Sequence, residues 1–270
     1  MLHRSDPMMS DLPVHEQDPD LFEALTERAI SIHYQPMIDL HSGRVVAAEA
    51  LARWEPTGTG ADALFQRARA AQLEGPLSRS IQYDALEKAA RWSGPLGQVG
   101  LSLNLLPDEL LDRDFPDSFI EMLRDSGFAP ERLTLELVEN GHVTEHPEAA
   151  RRLARLRALG IRIAVDDFGT GYSSLAYLTS LPIDTLKIDR GLIADIVGGD
   201  KDRIVVRALL KMAQELGMRT VVEGVENAAQ LDLLTEWGAD LYQGFLGSGP
   251  LDEDALGRFV AFANRPRQRH

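Results

Sequence analysis

From Val99 onward the chain repeats one theme, a short apolar run followed by a stretch of helical period, and this alternation constrains the fold more than any other feature. Val99 to Asn104, Leu133 to Val138, Ile161 to Asp166, Thr185 to Ile188, Thr220 to Glu223 and Leu241 to Gln243 read as buried strands. Helical spacing separates most of them: Phe115 to Asp125, a helix opened by Pro147 and stopped by Gly160, Arg203 to Leu216, and Ala228 to Trp237. Upstream, Ser31 to Leu40 and Arg44 to Trp54 are joined only by His41, Ser42 and Gly43, too short a connection for a parallel crossover, so these two strands must form an antiparallel hairpin. Helical spacing recurs at Leu21 to Ile30, Ala63 to Leu73 and Leu77 to Trp92. About eight strands in one alternation, with no linker dividing them, predict an α/β fold: a single (β/α) barrel with an irregular antiparallel start. An open doubly wound sheet is the alternative, but the glycine-rich phosphate turn it wants after the first strand is absent from the sequence. The reading divides the chain into a flexible tail over residues 1–19, a barrel over 20–264 and a basic tail over 265–270.

Composition narrows the function classes. A net charge of -14 argues against a DNA or RNA duplex as partner, because a polyanion would be repelled unless local cations reversed the field. The absence of cysteine excludes disulfides, thiolate zinc sites and cysteine nucleophiles. With no apolar leader near Met1 and no run of about 18 apolar residues, the expectation is a soluble cytoplasmic protein that does not insert in membranes.

The chemistry collects at predicted strand ends. Reading them in order yields Glu49, Asn104, Glu136, Asp166 with Asp167, Lys187, Glu223 and Gln243, on the rim where barrel enzymes carry their working groups. Each alone is bland: an adjacent Asp pair is commonly a solvated turn, Lys187 a surface lysine, Gln243 a capping amide. Their joint delivery to one rim points to a site. Two carboxylates a few ångströms apart repel by about 4 kcal/mol at an effective dielectric near 20 and therefore want a proton, a cation or open water. Carboxylates and an amide without thiolate or histidine suit hard cations such as Mg²⁺ or Mn²⁺. Five carboxylates exceed what one divalent ion neutralises, so two metals sharing an aspartate is the expectation, with Lys187 orienting water and Arg53 meeting a phosphate oxygen. His142 and His146 are four apart, but Pro147 starts the next helix too late to stack them, and they read as solvated loop residues. Neither a nucleophile elbow nor a Walker lysine accompanies Gly169-Thr170-Gly171, which reads as a tight turn over the site.

These residues fall into a known pattern. Tyr34-Gln35-Pro36, Glu49-Ala50-Leu51 with Arg53-Trp54, Asn104, Glu136 with Glu139, Asp166 through Ser174, Leu186-Lys187-Ile188-Asp189, Glu223-Gly224-Val225-Glu226 and Gln243-Gly244 resemble the signature of EAL domains, bacterial phosphodiesterases of cyclic di-GMP, over about Ser31 to Leu251. The resemblance implies a modified (β/α)8 TIM-like barrel with an antiparallel first strand, and hydrolysis of cyclic di-GMP to linear pGpG. It further implies that Glu49, Asn104, Glu136 and Asp166 bind one metal and Asp166, Asp167 and Glu223 the second, two Mg²⁺ or Mn²⁺ per site. Glu49, Lys187, Glu223 and Asp167 would be catalytic, Gln35, Arg53 and Gln243 would contact substrate, and Glu139 would hold the loop from Asp167 to Ser174. A homodimer through the segment after Ser174 and an upstream sensory domain or partner complete the expectation. The sequence departs from the pattern at Ala70, where an acid is usual, at Leu106, where serine is usual, and at Gly247 and Gly249, where an aromatic and an arginine are usual. These departures bear on substrate affinity and keep a second reading open, a cyclic di-GMP receptor or protein-interaction module without turnover. A phosphodiesterase for another diester is a third.

Overall fold

Alternation of leucines decides which way each strand faces. The computed structural model describes residues 18–54, 60–138, 147–169 and 175–265, and within them Leu101, Leu103 and Leu105, or Leu133, Leu135 and Leu137, point outward into a core shared with the helices, each at most 1% exposed. Burying one such side chain is worth about 1.5–3 kcal/mol. The strands are β1 (Ser31–Asp39), β2 (Val45–Arg53), β3 (Gly100–Leu105), β4 (Leu133–Val138), β5 (Arg162–Phe168), β6 (Thr185–Ile188), β7 (Arg219–Val222) and β8 (Leu241–Tyr242). They close into a barrel in sequence order. β1 is antiparallel to both β2 and β8, and all other neighbours are parallel, so the hairpin expected at His41 to Gly43 sits inside a TIM-like barrel.

The helices around it are α1 (Pro19–Thr26), α2 (Ala61–Ala70), α3 (Glu74–Ala90), α4 (Pro107–Leu111), α5 (Phe115–Ser126), α6 (Pro147–Arg157), α7 (Leu175–Ser180), α8 (Arg190–Ile193), α9 (Asp200–Glu215), α10 (Ala228–Glu236) and α11 (Glu253–Ala263). α1 takes in Pro19, which the sequence reading left in the tail: Asp18 caps it by accepting the Leu21 N–H at 3.1 Å and also accepts from Arg67 of α2 at 2.5 and 2.6 Å. The arginine holds the Asp18 carboxyl below its usual range. α11 went unforeseen. Asp252 caps it, and Asn264 beyond its end pairs with both the N–H and the carbonyl of Val45, at 2.8 and 2.9 Å, tying the C-terminal helix to the start of β2.

Inside the barrel, a period of two stacks the strands' inward residues in tiers. The middle tier, Met37, Ala47, Ser102, Thr134, Ala164, Thr185, Val221 and Leu241, is apolar or hydroxylic, with Met37, Val221 and Leu241 forming a small separate core. Two residues along each strand toward the C-terminal rim, or two back along the reversed β1, stand Gln35, Glu49, Asn104, Glu136, Asp166, Lys187, Glu223 and Gln243. Residues 1–17 and 266–270, Glu139, His142, His146 and Thr170 to Ser174 lie outside the described residues.

Candidate active site

β2 pairs with β3 only from Ala47 to Glu49, and beyond that point β1 and β2 continue as a two-stranded ribbon. Glu49 is therefore the last barrel residue of its strand. Gln35 stands directly opposite it across the hairpin, whereas Arg53 lies four residues further out, roughly 13 Å along an extended strand. The Arg53 guanidinium donates to the Ala52 carbonyl at 2.9 Å and does not join the acidic cluster.

β5 does something a regular strand cannot. Successive side chains of a strand face opposite ways, yet Asp166 and Asp167 both reach the site. The sequence reading ended the strand at Asp166; in the structure it runs to Phe168, with an irregular register against β6 between Val165 and Phe168. Asp167 there adopts φ +55°, a left-handed conformation that aspartate tolerates better than most residues. This bulge turns the second carboxylate back to the face of the first, and the Asp167 N–H donates to Asp166 Oδ1 at 2.9 Å. Glycines finish β7 and β8: Gly224 has φ +68°, and a Cβ on Gly244 would sit 2.3 Å from the Val225 carbonyl oxygen. The chain thus turns away immediately after Glu223 and Gln243.

At the centre of the rim Lys187 is 1% exposed, with Nζ 2.7 Å from Glu136, 2.8 Å from Glu223, 2.9 Å from Asp166 and 3.5 Å from Glu49. Burial alone would lower its pKa; Asp166, Glu136, Glu223 and Glu49 together drive it well above the usual lysine range. One ammonium is too little for the acids around it. Burial, against the pull of Lys187 and with the repulsion of neighbouring carboxylates, raises Glu136 well above its ordinary value and Glu223 up to about 8. Burial and then Asp166 push Asp167 up to about 6. Ligand oxygens of Glu49, Glu136 and Asp166 lie within 4.8 Å of one another, and so do those of Asp166, Asp167 and Glu223. Asp166 belongs to both groups. Such crowding of hard oxygen donors about one ammonium fits divalent cations.

Amides complete the ring. Asn104 donates to Glu49 Oε1 at 3.2 Å and Gln243 to Glu49 Oε2 at 2.9 Å. Sequence reasoning missed what holds Asn104 in place: Gln82 of α3 donates to the Asn104 carbonyl at 3.1 Å and to Glu109 of α4 at 3.2 Å. Glu109 also accepts from Ser78 at 2.8 Å and from the Leu106 N–H at 3.1 Å, although its burial raises its pKa. Ser78 and Gln82 sit one helical turn apart, a polar pair on an otherwise apolar buried stripe, and that was the available signal. Leu106, noted as unusual, occupies the N-cap of α4 and has no side-chain oxygen to cap it, while Glu109 reaches back to accept the Leu106 N–H. At the two altered glycines, a Cβ on Gly247 would meet Ile38 Cδ1 at 2.5 Å, and one on Gly249 would meet the Phe245 ring at 3.1 Å; Phe245 is 73% exposed on this rim.

A family model described as EAL domain matches residues 18–250. The chain belongs to the EAL domain family. This EAL chain is 35% identical over 250 residues to the cyclic di-GMP phosphodiesterase NbdA of Pseudomonas aeruginosa, covering 91% of this chain and 32% of that protein. It is 34% identical over 234 residues to PA2567 of the same organism, named a cyclic di-GMP phosphodiesterase, covering 86% and 40%. The chain therefore spans about a third of the length of the curated relatives it matches. Among solved structures, the EAL barrel superposes on the PaMucR phosphodiesterase in complex with c-di-GMP with a TM-score of 0.81, 32% identity and coverage of 88% and 98%. It superposes on the manganese and cyclic di-GMP complex of Klebsiella pneumoniae BlrP1 with a TM-score of 0.74, 31% identity and coverage of 83% and 56%. Among the described residues, no helix is long and apolar enough to cross a membrane.

Proposed function

We propose that this EAL domain is a metal-dependent phosphodiesterase that hydrolyses one phosphodiester of cyclic di-GMP, giving linear pGpG. The observation that carries this reading is the doubled carboxylate cluster sharing Asp166 around buried Lys187. Glu49, Glu136, Asp166, Asp167 and Glu223 sum to five negative charges and Lys187 adds one positive, leaving four negative charges, the charge of two divalent cations with opposite sign. Glu49, Asn104, Glu136 and Asp166 would hold one Mg²⁺ or Mn²⁺, and Asp166, Asp167 and Glu223 the other. Bound there, two cations supply a lowered water pKa and neutralise charge on the attacking and leaving oxygens.

The chain's own groups do the rest. Lys187 would direct an Nζ proton toward the attacking water and the phosphoryl oxygens on which negative charge develops. Gln243 and Asn104, both donating to Glu49, fix that carboxylate's orientation, so its lone pairs face the site and not the barrel wall. Gln35, opposite Glu49, and Arg53, further up the ribbon, would approach the nucleotide and its phosphate, and Glu139 would steady the loop beyond Asp167. Leu175, 59% exposed at the start of α7, supports a homodimer through the segment after Ser174. A cyclic dinucleotide substrate also supports a cytoplasmic site of action.

The deciding experiment is turnover of cyclic di-GMP by the purified chain with Mg²⁺ or Mn²⁺, followed by chromatography beside an EDTA control. Metal-dependent pGpG is expected. Tight nucleotide binding without product would replace the enzyme by a receptor, and activity only on other diesters in a panel would move the specificity to the rim changed at Gly247 and Gly249.

A further inference from the structure

The barrel is not filled below its acidic tier. Ala47, Ser102, Thr134, Ala164 and Thr185 are small for a barrel interior, and beneath Glu136 they leave a cavity of about 50 Å³. A single water needs about 10–15 Å³ on this measure, so the space holds several waters or one tetrahedral oxyanion. Its floor is cationic. Arg162 opens β5 and Arg219 opens β7, and both line the cavity on either side of Thr185, which pairs directly with Arg219.

The acids at this end make their hydrogen bonds elsewhere, although Asp39 still acts through space on Arg219 and Asp184 on Arg162. Asp184 is paired with Arg157 at 2.6 and 3.0 Å, Asp240 accepts from the N–H and hydroxyl of Thr220, and Asp39 accepts from Ser42. Arg162 donates to the Glu131 carbonyl at 2.8 Å, while no described residue hydrogen-bonds the Arg219 guanidinium. Nor does any described residue bond the hydroxyls of Ser102, Thr134 or Thr185. Burial first and the neighbouring Arg219 charge second depress the Arg162 pKa, against a smaller opposing pull from Asp184, so the two guanidinium groups lie close enough to repel. Plain snorkelling of two arginine stems would explain the floor but not the three hydroxyl residues that line the same cavity above it.

We propose that the lower mouth of the barrel is a binding site for a small oxyanion of the phosphate class, held by Arg162 and Arg219 with hydroxyl donors from Thr185, Thr134 and Ser102. Guanidinium groups match tetrahedral oxyanions in geometry as well as charge. Because Glu136 forms the cavity's roof, occupancy belongs at the arginine end, away from the carboxylate, and the site lies below the acidic rim, sharing only Glu136 with it.

The test uses the full chain freed of divalent metal, so that no anion can bind through metal at the rim. Inorganic phosphate is titrated against chloride at matched ionic strength, reading thermal unfolding and phosphorus-31 line width. A second series replaces inorganic phosphate by GMP, which separates a free oxyanion from the terminal phosphate of a nucleotide. A saturable rise in Tm is expected in the parent, with apparent Kd raised about tenfold or more in Arg219→Gln and raised to a smaller extent in Thr185→Val. Phosphate also stabilises proteins unspecifically by exclusion from their surface, but that effect neither saturates nor depends on one arginine. A response equal in parent and Arg219→Gln, or absent from the parent, would overturn the site. Arg219 is exposed and opens its strand, and Thr185→Val keeps the side chain's shape, so folding is retained in at least one of the two variants.

Discussion

The two halves of the barrel interior are built from the same strands, yet they behave as opposite materials. Above, Glu49, Glu136, Asp166, Lys187 and Gln243 are charged or amidic and at most 8% exposed; two residues below, Met37, Val221 and Leu241 are apolar and equally buried. A shift of two residues along a strand keeps the same face and changes only the height. The apolar residues of the lower half repay burial in transfer free energy, while the upper half is costly to bury and is eased by Lys187, by amide donors and by protons held on raised carboxyls. In the lower tier the Met37, Val221 and Leu241 cluster contributes stability, and in the upper tier stability is given up to gather charge.

The largest expected effect is in the upper tier. Glu49→Ala removes a carboxylate from one of the two oxygen-donor groups and the acceptor for both Asn104 and Gln243. Turnover of cyclic di-GMP should fall by more than the about 10–100-fold typical of outer-shell partners, and unchanged turnover would remove Glu49 from the site. Next, Lys187→Met leaves four carboxylates facing one another without their ammonium. Loss of one partner from a buried ion pair costs about 3–5 kcal/mol, so metal-free thermal unfolding should drop markedly, while added Mn²⁺ should restore much of the loss. A variant as stable as its parent without metal would mean the acids are neutral there.

The lower tier supplies the contrasting control. Leu241→Ala should cost about 2–5 kcal/mol of stability in denaturant titrations, yet turnover per folded molecule should stay near that of the parent. A large loss of turnover at full folding would break the division between the tiers.

Proton linkage sharpens it further. Glu223 and Asp167 are raised from ordinary values of 4.5 and 3.8 to about 8 and about 6. A carboxyl raised in the folded state keeps its proton there after the unfolded chain has released it. Its stabilisation is therefore complete below the unfolded value and lost as pH rises through the folded one. Metal-free protein should lose stability, on the order of a few kcal/mol, between about pH 4.5 and 8, and saturating Mg²⁺ should flatten or invert that slope. Melting curves at fixed ionic strength check this, and a stability that climbs across that range without metal would count against the crowded-acid picture. The smallest effect concerns support. Gln82→Leu deletes the donor to the Asn104 carbonyl and to Glu109, at a cost of about 1–3 kcal/mol, and should weaken metal binding measured by titration more than it lowers turnover at saturating metal. Equal affinity in parent and variant would leave Gln82 a purely structural residue.

How legible the molecule is depends on the range over which each feature is decided. The hairpin was readable because three residues between two strands permit only one geometry, and β1 indeed runs antiparallel to both neighbours. The ring of acids was readable because a polar residue ending a buried run is conspicuous locally. Helix α11 was not, since its anchor is Asn264 on Val45, across a sequence separation of 219 residues. That Arg53 stands four residues beyond Glu49, on the ribbon and not on the rim, was not legible, because where β2 leaves the barrel depends on the length of its pairing with β3, which no local pattern encodes.

Asp166 and Asp167 show the limit most clearly. Their adjacency, the carboxylates on the neighbouring strand ends, the lack of cysteine and the two-residue period were all in the sequence, and together they determined an acidic barrel rim suited to hard cations. That both aspartates share one face was decided only in the folded molecule, where a bulge against β6 and a left-handed Asp167 reverse the normal alternation. The tertiary structure likewise decided that Lys187 is buried among four carboxylates and that arginines close the opposite mouth. Periodicity is set by neighbours along the chain, whereas the charge balance of a site is a sum over strands that meet only when the barrel closes.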